Sequence, residues 1–459
     1  MDLKRSDHFM KSKILFTIGP ASIDQNVFSK LASRSGGVRI NSAYGDINDH
    51  KKLIRFIRKN SNIPIVLDVK GPELRIALAK PLEIKSEELF ELYFVGANSF
   101  SYNFSSEAKK GDDVLFDDGK LRAEIISLDN KKVTLRAKNS HMLKSEKNAH
   151  IPKRKLSIPA LSKKDLGELK LANEFKIEYI ALSFTRDASD IKNLRKLIAP
   201  EIAVIAKIEN QDGLNNINEI INEADGVMVA RGDLALDITQ EKVPLAQKEI
   251  IRKCNNKGKL AITATQVLET MIANSYPTRA EISDIANAIL DGSDVIMLSG
   301  ETAIGKFPVQ AVETVARVSK EIENRVVSNV NQNVYEGISD AISKSIYTLT
   351  EIMPLNAIVS LTRSGYTART ISRFRVRTKI IAVTSNEIVK KQLGLYFGVH
   401  AVYIPKFPEA KIISSLAKFL YSQKMLKKGD VVLFTAGMRT KEKYASNLIE
   451  VHKLDELLR

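Results

Sequence analysis

The chain has 459 residues, 44% of them hydrophobic, with one cysteine, Cys254, and a formal net charge of +16. That length allows two or three domains with sizeable cores, and a lone cysteine excludes a disulfide framework and suits a reducing cytosol. The first residues lack the apolar core of a signal peptide, and no apolar run reaches membrane-spanning length.

Eight apolar runs of strand length follow in order: 14–19, 36–41, 64–70, 178–184, 203–209, 226–231, 260–266 and 294–300. Helical patterns separate most of them, and starts recur every 22 to 34 residues except for one gap of 114. Eight β-α repeats are the number that closes a (β/α)8 TIM barrel, here expected over 1–70 and 158–335. The long gap marks an insert over 71–157, with short alternating stretches and an Asp117-Asp118-Gly119 turn. It reads as a small β-barrel standing over the barrel mouth as a lid. From 336 to 459 a separate C-terminal α/β domain with a mostly parallel sheet is expected.

The segment 203–233 is the most telling. Two apolar strands end in Lys207 and Glu209 and, one repeat later, in Asp233. In barrels of this kind chemistry collects at the carboxyl ends of the strands. Two carboxylates there can share a divalent cation, and a lysine can neutralise an anion; the bland alternative is a surface salt bridge. The other strand ends add Arg39 and Asn41, Asp68 followed by Lys70 and Arg75, Arg231, Thr263 and Thr265, and Ser299 and Glu301. No histidine or cysteine stands among them, which argues against acyl-transfer triads and against zinc. Oxygen donors point to a hard cation such as Mg²⁺, and the mix of cations and acids suits phosphoryl transfer. No P-loop motif occurs. The basic charge is dispersed along the chain, which fits anionic metabolites and argues against nucleic acid.

The ordered motifs TIGPAS (17–22), LDVKGPELR (67–75), IPALSKKD (158–165), AKIEN (206–210), VARGDL (229–234), ATQVLETM (264–271), PTRAEISDIANAILDGSD (277–294) and IMLSGETA (296–303) resemble the pyruvate kinase family over almost the whole chain. The resemblance implies phosphoryl transfer from phosphoenolpyruvate to ADP, giving pyruvate and ATP in glycolysis, in the cytoplasm, by a homotetramer without membrane contact. It implies that Lys207 neutralises the phosphoryl group and the developing enolate, that Arg39 holds the phosphoryl group, and that Glu209 and Asp233 ligate Mg²⁺. The backbone at Gly232 and Asp233 would take the substrate carboxylate; Thr265 would contact the substrate and, with Ser299 and water, feed the proton to the enolate. Arg75, Lys147, Asn41 and Tyr44 fall on the nucleotide side. Asn41, Asp68 and a backbone oxygen of Val69 would hold K⁺, and Glu73 matches the potassium-dependent form. Thr362, Arg363, Ser364, Gly365, Thr367 and Arg439 match a sugar-phosphate effector loop, with a capped helix start as the plain alternative.

The chain departs from the family pattern at Ala43, Tyr44, Val69, Ala235 and Ile304. Ala43 removes a hydroxyl from the K⁺ set, and Ile304 removes a lysine on the nucleotide side. A weakened or inactive relative acting as a binding or regulatory protein is therefore the alternative to a working enzyme.

Overall fold

The computed structural model describes residues 10–152, 154, 156–328, 337–408, 411–437 and 447–459. Eight parallel strands close into a barrel: Lys13–Thr17, Gly37–Asn41, Ile65–Val69, Tyr179–Leu182, Ala203–Ile208, Gly226–Ala230, Leu260–Ala264 and Val295–Leu298. Seven of the eight lie within the expected apolar runs, and the first begins one residue early, at Lys13. The strands are apolar on both faces because they are covered on both. Ile14, Phe16, Val204 and Ala206 pack outward against the helices, while Leu15, Val66, Ala181, Ile205, Met228, Ile262 and Met297 fill the interior. The helices between strands start where the sequence supplies caps. Asp46, Ser162 and Thr278 each accept from the first turn and are answered by Asp49, Asp165 and Glu281 in reciprocal capping boxes.

The insert leaves after the third strand. Gly71 marks the exit: its φ is +69°, and a side chain there would meet the Ser183 carbonyl at 2.7 Å. Seven short strands between Ile76 and His150 form one sheet, mostly antiparallel, and Leu82–Ile84 pairs with His141–Leu143 beside it. The two outermost strands of the seven meet. Arg75 bridges Asn148, and Ala149 N–H donates to Leu74 O at 2.8 Å. That contact rolls the sheet into a small barrel around Leu92, Phe100, Phe116 and Ile125. Asp117, Asp118 and Gly119 all take positive φ, a tight turn between two of its strands.

The C-terminal sheet has the spatial order 399–403, 379–384, 357–361, 431–436 and 448–453, with only the last strand antiparallel. Its first edge strand begins at Val399 and the following helix at Ile412. The apolar interior of the barrel runs without a break into this domain through Ala368, Phe374, Leu395 and Tyr396. The domain therefore seals the barrel floor, and the opposite end is left open beneath the insert. Cys254 is buried, and burial pushes its thiol well above the ordinary range. Among the described residues no helix is long and apolar enough to cross a membrane.

Candidate active site

Side chains alternate along a strand, so every second residue of a barrel strand faces the axis. Counting upward from the interior core, Leu15 leads to Thr17, Val66 to Asp68, Ala181 to Ser183, Ile205 to Lys207 and Met297 to Ser299. Arg39 occupies the same level of the second strand, paired in register with Thr17 and Val66. On these six strands the uppermost inward position is thus polar while the layer below it is apolar.

This layer is a connected ionic network. Lys207 Nζ lies 3.2 Å from Asp68 Oδ1 and 3.1 Å from Glu209 Oε1, and it donates to Ser183 Oγ at 2.6 Å. Ser183 Oγ in turn donates to Asp68 Oδ1 at 3.1 Å. The other oxygen of Asp68 takes two contacts from the Arg39 guanidinium, each 2.7 Å long. Arg39 also donates to Thr17 Oγ1 at 3.1 Å, and Glu209 Oε2 accepts from Phe184 N–H at 2.6 Å. Every one of these groups is buried or nearly so. Burial opposes ionisation of both partners, but their mutual attraction wins. Against burial, Lys207 and Arg39 hold the Asp68 carboxyl below its usual range. Against burial, Asp68 and Glu209 hold the Lys207 ammonium above its own.

Asp233 stands at the start of the helix Arg231–Ile238, directly after the sixth strand. It behaves in the opposite way. Burial and the Glu209 carboxylate push its carboxyl up to about 8, with Glu73 and Asp118 adding to the push and Lys207 opposing it. A carboxylate crowded by other carboxylates is a group that a cation would relieve. Glu209 and Asp233 thus fit a divalent ion, completed by substrate oxygens and water. For a monovalent ion the fit is looser. Asn41 and Asp68 are register partners and Ser42 Oγ is buried without a partner among the described residues, but Asp68 is already engaged by two cations.

The seventh strand ends in a distorted turn. Thr265 and Gln266 have φ of +62° and +51°, a left-handed conformation that β-branched threonine rarely takes. It is held by Arg231, which donates to the carbonyls of Ala264, Thr265 and Gln266 and pairs with Asp284 at 2.7 Å. Through that turn Thr265 Oγ1 accepts from Gly232 N–H at 2.9 Å. Arg231 is therefore a brace and not a rim group. Thr263 also leaves the rim: it faces outward and bonds Ser293. Glu301 caps the backbone N–H groups of Leu268 and Ser299. Ser299 Oγ is buried without a partner among the described residues, a hydroxyl available to a guest. Reading the rim from strand ends alone overlooked Thr17 and Ser183; the inward parity of strands one and four was the signal for both.

On the lid side, Arg75 pairs with Glu73 at 2.6 Å and Lys147 with Asp117 at 2.7 Å. Neither joins the ionic network of the mouth. Tyr44 presents its ring to solvent, 77% exposed, on the loop after the second strand. Val69 is fully buried. The lid is tied to the barrel by His150 on Asp237 at 3.0 Å and by Arg186, which donates to the carbonyls of Leu156 and Ile158. A cleft of about 300 Å³ lies between them, lined by Pro72, Glu73, His150, Glu209 and Asp233.

In the C-terminal domain Thr362 and Thr367 are buried. Gly365 takes a left-handed φ of +80° at the start of the helix Tyr366–Ser372. Arg363 and Ser364 face a cavity of about 550 Å³ between this domain and the barrel floor. Arg439 lies outside the described residues.

A closed (β/α)8 barrel whose mouth gathers an ammonium, a guanidinium and three acids under a β lid defines an enzyme that handles a small, highly charged anion together with a hard cation. Residues 9–312 match the family model described as pyruvate kinase, barrel domain, and residues 340–452 that described as pyruvate kinase, alpha/beta domain. A pyruvate kinase of Staphylococcus saprophyticus is 38% identical over 97% of this chain and 81% of its own length. One of Clostridium acetobutylicum is 35% identical over 97% of this chain and all of its own. The crystal structure of a pyruvate kinase from Cryptosporidium parvum superposes with a TM-score of 0.89 at 32% identity, covering 97% of this chain and 96% of that one. The chain belongs to the pyruvate kinase family.

Proposed function

We propose that the chain transfers the phosphoryl group of phosphoenolpyruvate to ADP, releasing pyruvate and ATP. One observation carries this reading: the Lys207 ammonium is held by Asp68 and Glu209 at the centre of the mouth, with Arg39 beside it and Asp233 across from it. Phosphoryl transfer asks the protein mainly for position and positive charge. Arg39 and Lys207 supply both without needing to move, because Asp68 fixes the two of them. The phosphorus–oxygen bond of the substrate breaks as an ADP oxygen attacks, and the electron pair is left on the enolate. Lys207 balances that charge, and Thr265 with Ser299 and water returns a proton to the enolate carbon. The N–H of Asp233, at the start of a helix, receives the substrate carboxylate, joined by that of Gly232 once Thr265 Oγ1 turns from it to the substrate. Mg²⁺ on Glu209 and Asp233 supplies further positive charge to substrate oxygens when bound.

Arg75, Lys147, Asn41 and Tyr44 form the nucleotide side of this proposal, and Asn41, Asp68 and the Val69 carbonyl its K⁺ set. A sugar phosphate acting on Thr362–Thr367, a homotetrameric assembly and a cytoplasmic location belong to it as well.

The test is pyruvate formation, followed by coupled lactate dehydrogenase, with and without Mg²⁺ and K⁺. Turnover that needs phosphoenolpyruvate, ADP and Mg²⁺ together is the expected result; none at saturating substrates and both ions would refute the proposal. Asp233→Asn should raise the Mg²⁺ needed for half-maximal rate by at least about tenfold. An unchanged Mg²⁺ titration would remove Asp233 from the cation site.

A further inference from the structure

The loop Ser42–Gly45 carries Tyr44 out over the mouth, and it is held from behind by a buried pair. His50, on the helix Ile47–Asn60, is 1% exposed. Its Nδ1 lies 2.7 Å from Glu168 Oε1 on the helix Lys163–Glu174, and its Nε2 lies 2.7 Å from the carbonyl oxygen of Tyr44. Both neighbours are hydrogen-bond acceptors. A neutral imidazole has one N–H and can satisfy only one of them. The pair must therefore keep one extra proton, as imidazolium against carboxylate or as neutral ring against carboxylic acid. Glu168 Oε2 is buried and has no partner among the described residues, so the carboxyl leans on His50 alone. The charged groups around the ring are Glu168 and Lys164 from the facing helix and Asp46 and Asp49 from its own. Burial alone would lower the ring's pKa, but the bonds to Glu168 and Tyr44 outweigh it and set it above the ordinary value.

The same facing helix fixes other parts of the rim. Lys164 Nζ donates to the carbonyl of Gly45 at 2.8 Å, and Asp165 accepts from the N–H of Lys70, just beyond the third strand, at 3.0 Å. Its cap, Ser162, follows directly on the chain's return from the lid. One helix end thus aligns the loop after the second strand, the exit to the lid and the return from it.

We propose that His50 and Glu168 are positioning residues for nucleotide binding: the proton they share fixes the Tyr44 carbonyl and, with it, the loop that presents Tyr44 to ADP. The inference rests on the reaction proposed above. Because the ring's pKa is raised, the proton is fully held below the ordinary histidine range and is lost as pH climbs through the raised value. The half-saturating concentration of ADP should accordingly be flat at pH below the ordinary histidine range. It should then rise roughly three- to tenfold as pH climbs through the raised value, the weight of one lost hydrogen bond. The maximal rate and the half-saturation for phosphoenolpyruvate should change little over the same step.

Two variants separate positioning from bulk stability. His50→Asn cannot span both acceptors, so its ADP half-saturation should be raised at every pH and show no step. In Glu168→Gln the amide can donate to Nδ1 while Nε2–H donates to Tyr44, with no extra proton needed. That variant should bind ADP as tightly as the parent and lose the pH step. Mg²⁺–ADP binding by calorimetry on the same three proteins reads the loop independently of turnover, so absence of turnover would count against the reaction and not against the pair. The inference is overturned if Glu168→Gln keeps the parent's pH step, or if His50→Asn lowers the unfolding temperature while leaving ADP binding and its pH profile unchanged.

Discussion

Replacing Lys207 by methionine should lower the turnover number by at least about 10³-fold while the barrel stays folded. Methionine matches the length of the lysine stem and removes only the charge. The fold survives because Asp68 retains both contacts from Arg39, and Glu209 retains the Phe184 N–H. Catalysis does not, because the enolate's charge then meets two buried carboxylates with no ammonium between them. Lys207→Arg should not rescue the loss. A guanidinium is a wide planar fork, and the present ammonium sits within 3.2 Å of three oxygens on Ser183, Asp68 and Glu209. The pH profile adds a second check. Lys207 is held above the ordinary lysine range, so it stays charged throughout the working range, and an alkaline loss of rate near pH 8 or 9 must come from another group. Single-turnover kinetics with circular dichroism on both variants decide the matter: wild-type rates in Lys207→Met would end the assignment of Lys207 as the central cation.

Much of this was legible in the chain itself. The eight strands could be counted because parallel barrel strands are buried on both faces and appear as unbroken apolar runs. Lys207, Glu209 and Asp233 stood out because ionisable groups at the ends of such runs have no packing reason to be there. What the apolar runs concealed was side-chain direction. Thr263 and Thr265 sit two apart on the same run, yet one bonds Ser293 on the outside and the other meets Gly232 at the mouth. The difference comes from the left-handed turn at Thr265, which no periodicity announces. Ser183 and Thr17 were overlooked for a related reason. As neutral hydroxyls they look unremarkable in sequence, although the two-residue repeat places both inward.

The longer-range partners were not legible at all. Nothing near Asp68 marks it as the joint between Arg39 and Lys207, since both partners lie on other strands. His50 and Glu168 are 118 residues apart, with the lid inserted between them. Their contact exists because the chain returns from the lid beside the strand it left. The lid strands are short, and the seven-stranded sheet closes through a few backbone contacts between 74–76 and 146–149, so alternation showed a β insert without its register.

The second large effect is expected at the other end of the barrel. Arg375 enters the barrel floor from the C-terminal domain and pairs with Asp294 at 2.8 Å, both side chains almost fully buried. The same guanidinium reaches the carbonyls of Ser372 and Gly292 and the side chain of Asn255. Asp294 also accepts from the N–H groups of Ala261 and Phe397, so one carboxylate joins the seventh strand to the C-terminal domain. Arg375 itself has a φ of +52°, a conformation kept only where the surroundings enforce it. Arg375→Ala should cost about 3–5 kcal/mol, because it strands a buried carboxylate, and should lower the unfolding temperature by roughly 5–10 °C. Adding Asp294→Asn removes that stranded charge. The double variant should therefore be more stable than Arg375→Ala alone, a coupling that surface pairs do not show. Scanning calorimetry is the measurement, since the chain has no tryptophan to report unfolding. If the two substitutions simply add, the pair is not the joint between barrel and C-terminal domain. If they couple as expected, this ion pair is a joint between the barrel floor and the C-terminal domain beside the apolar core the two share, and loosening it should split the calorimetric transition into two.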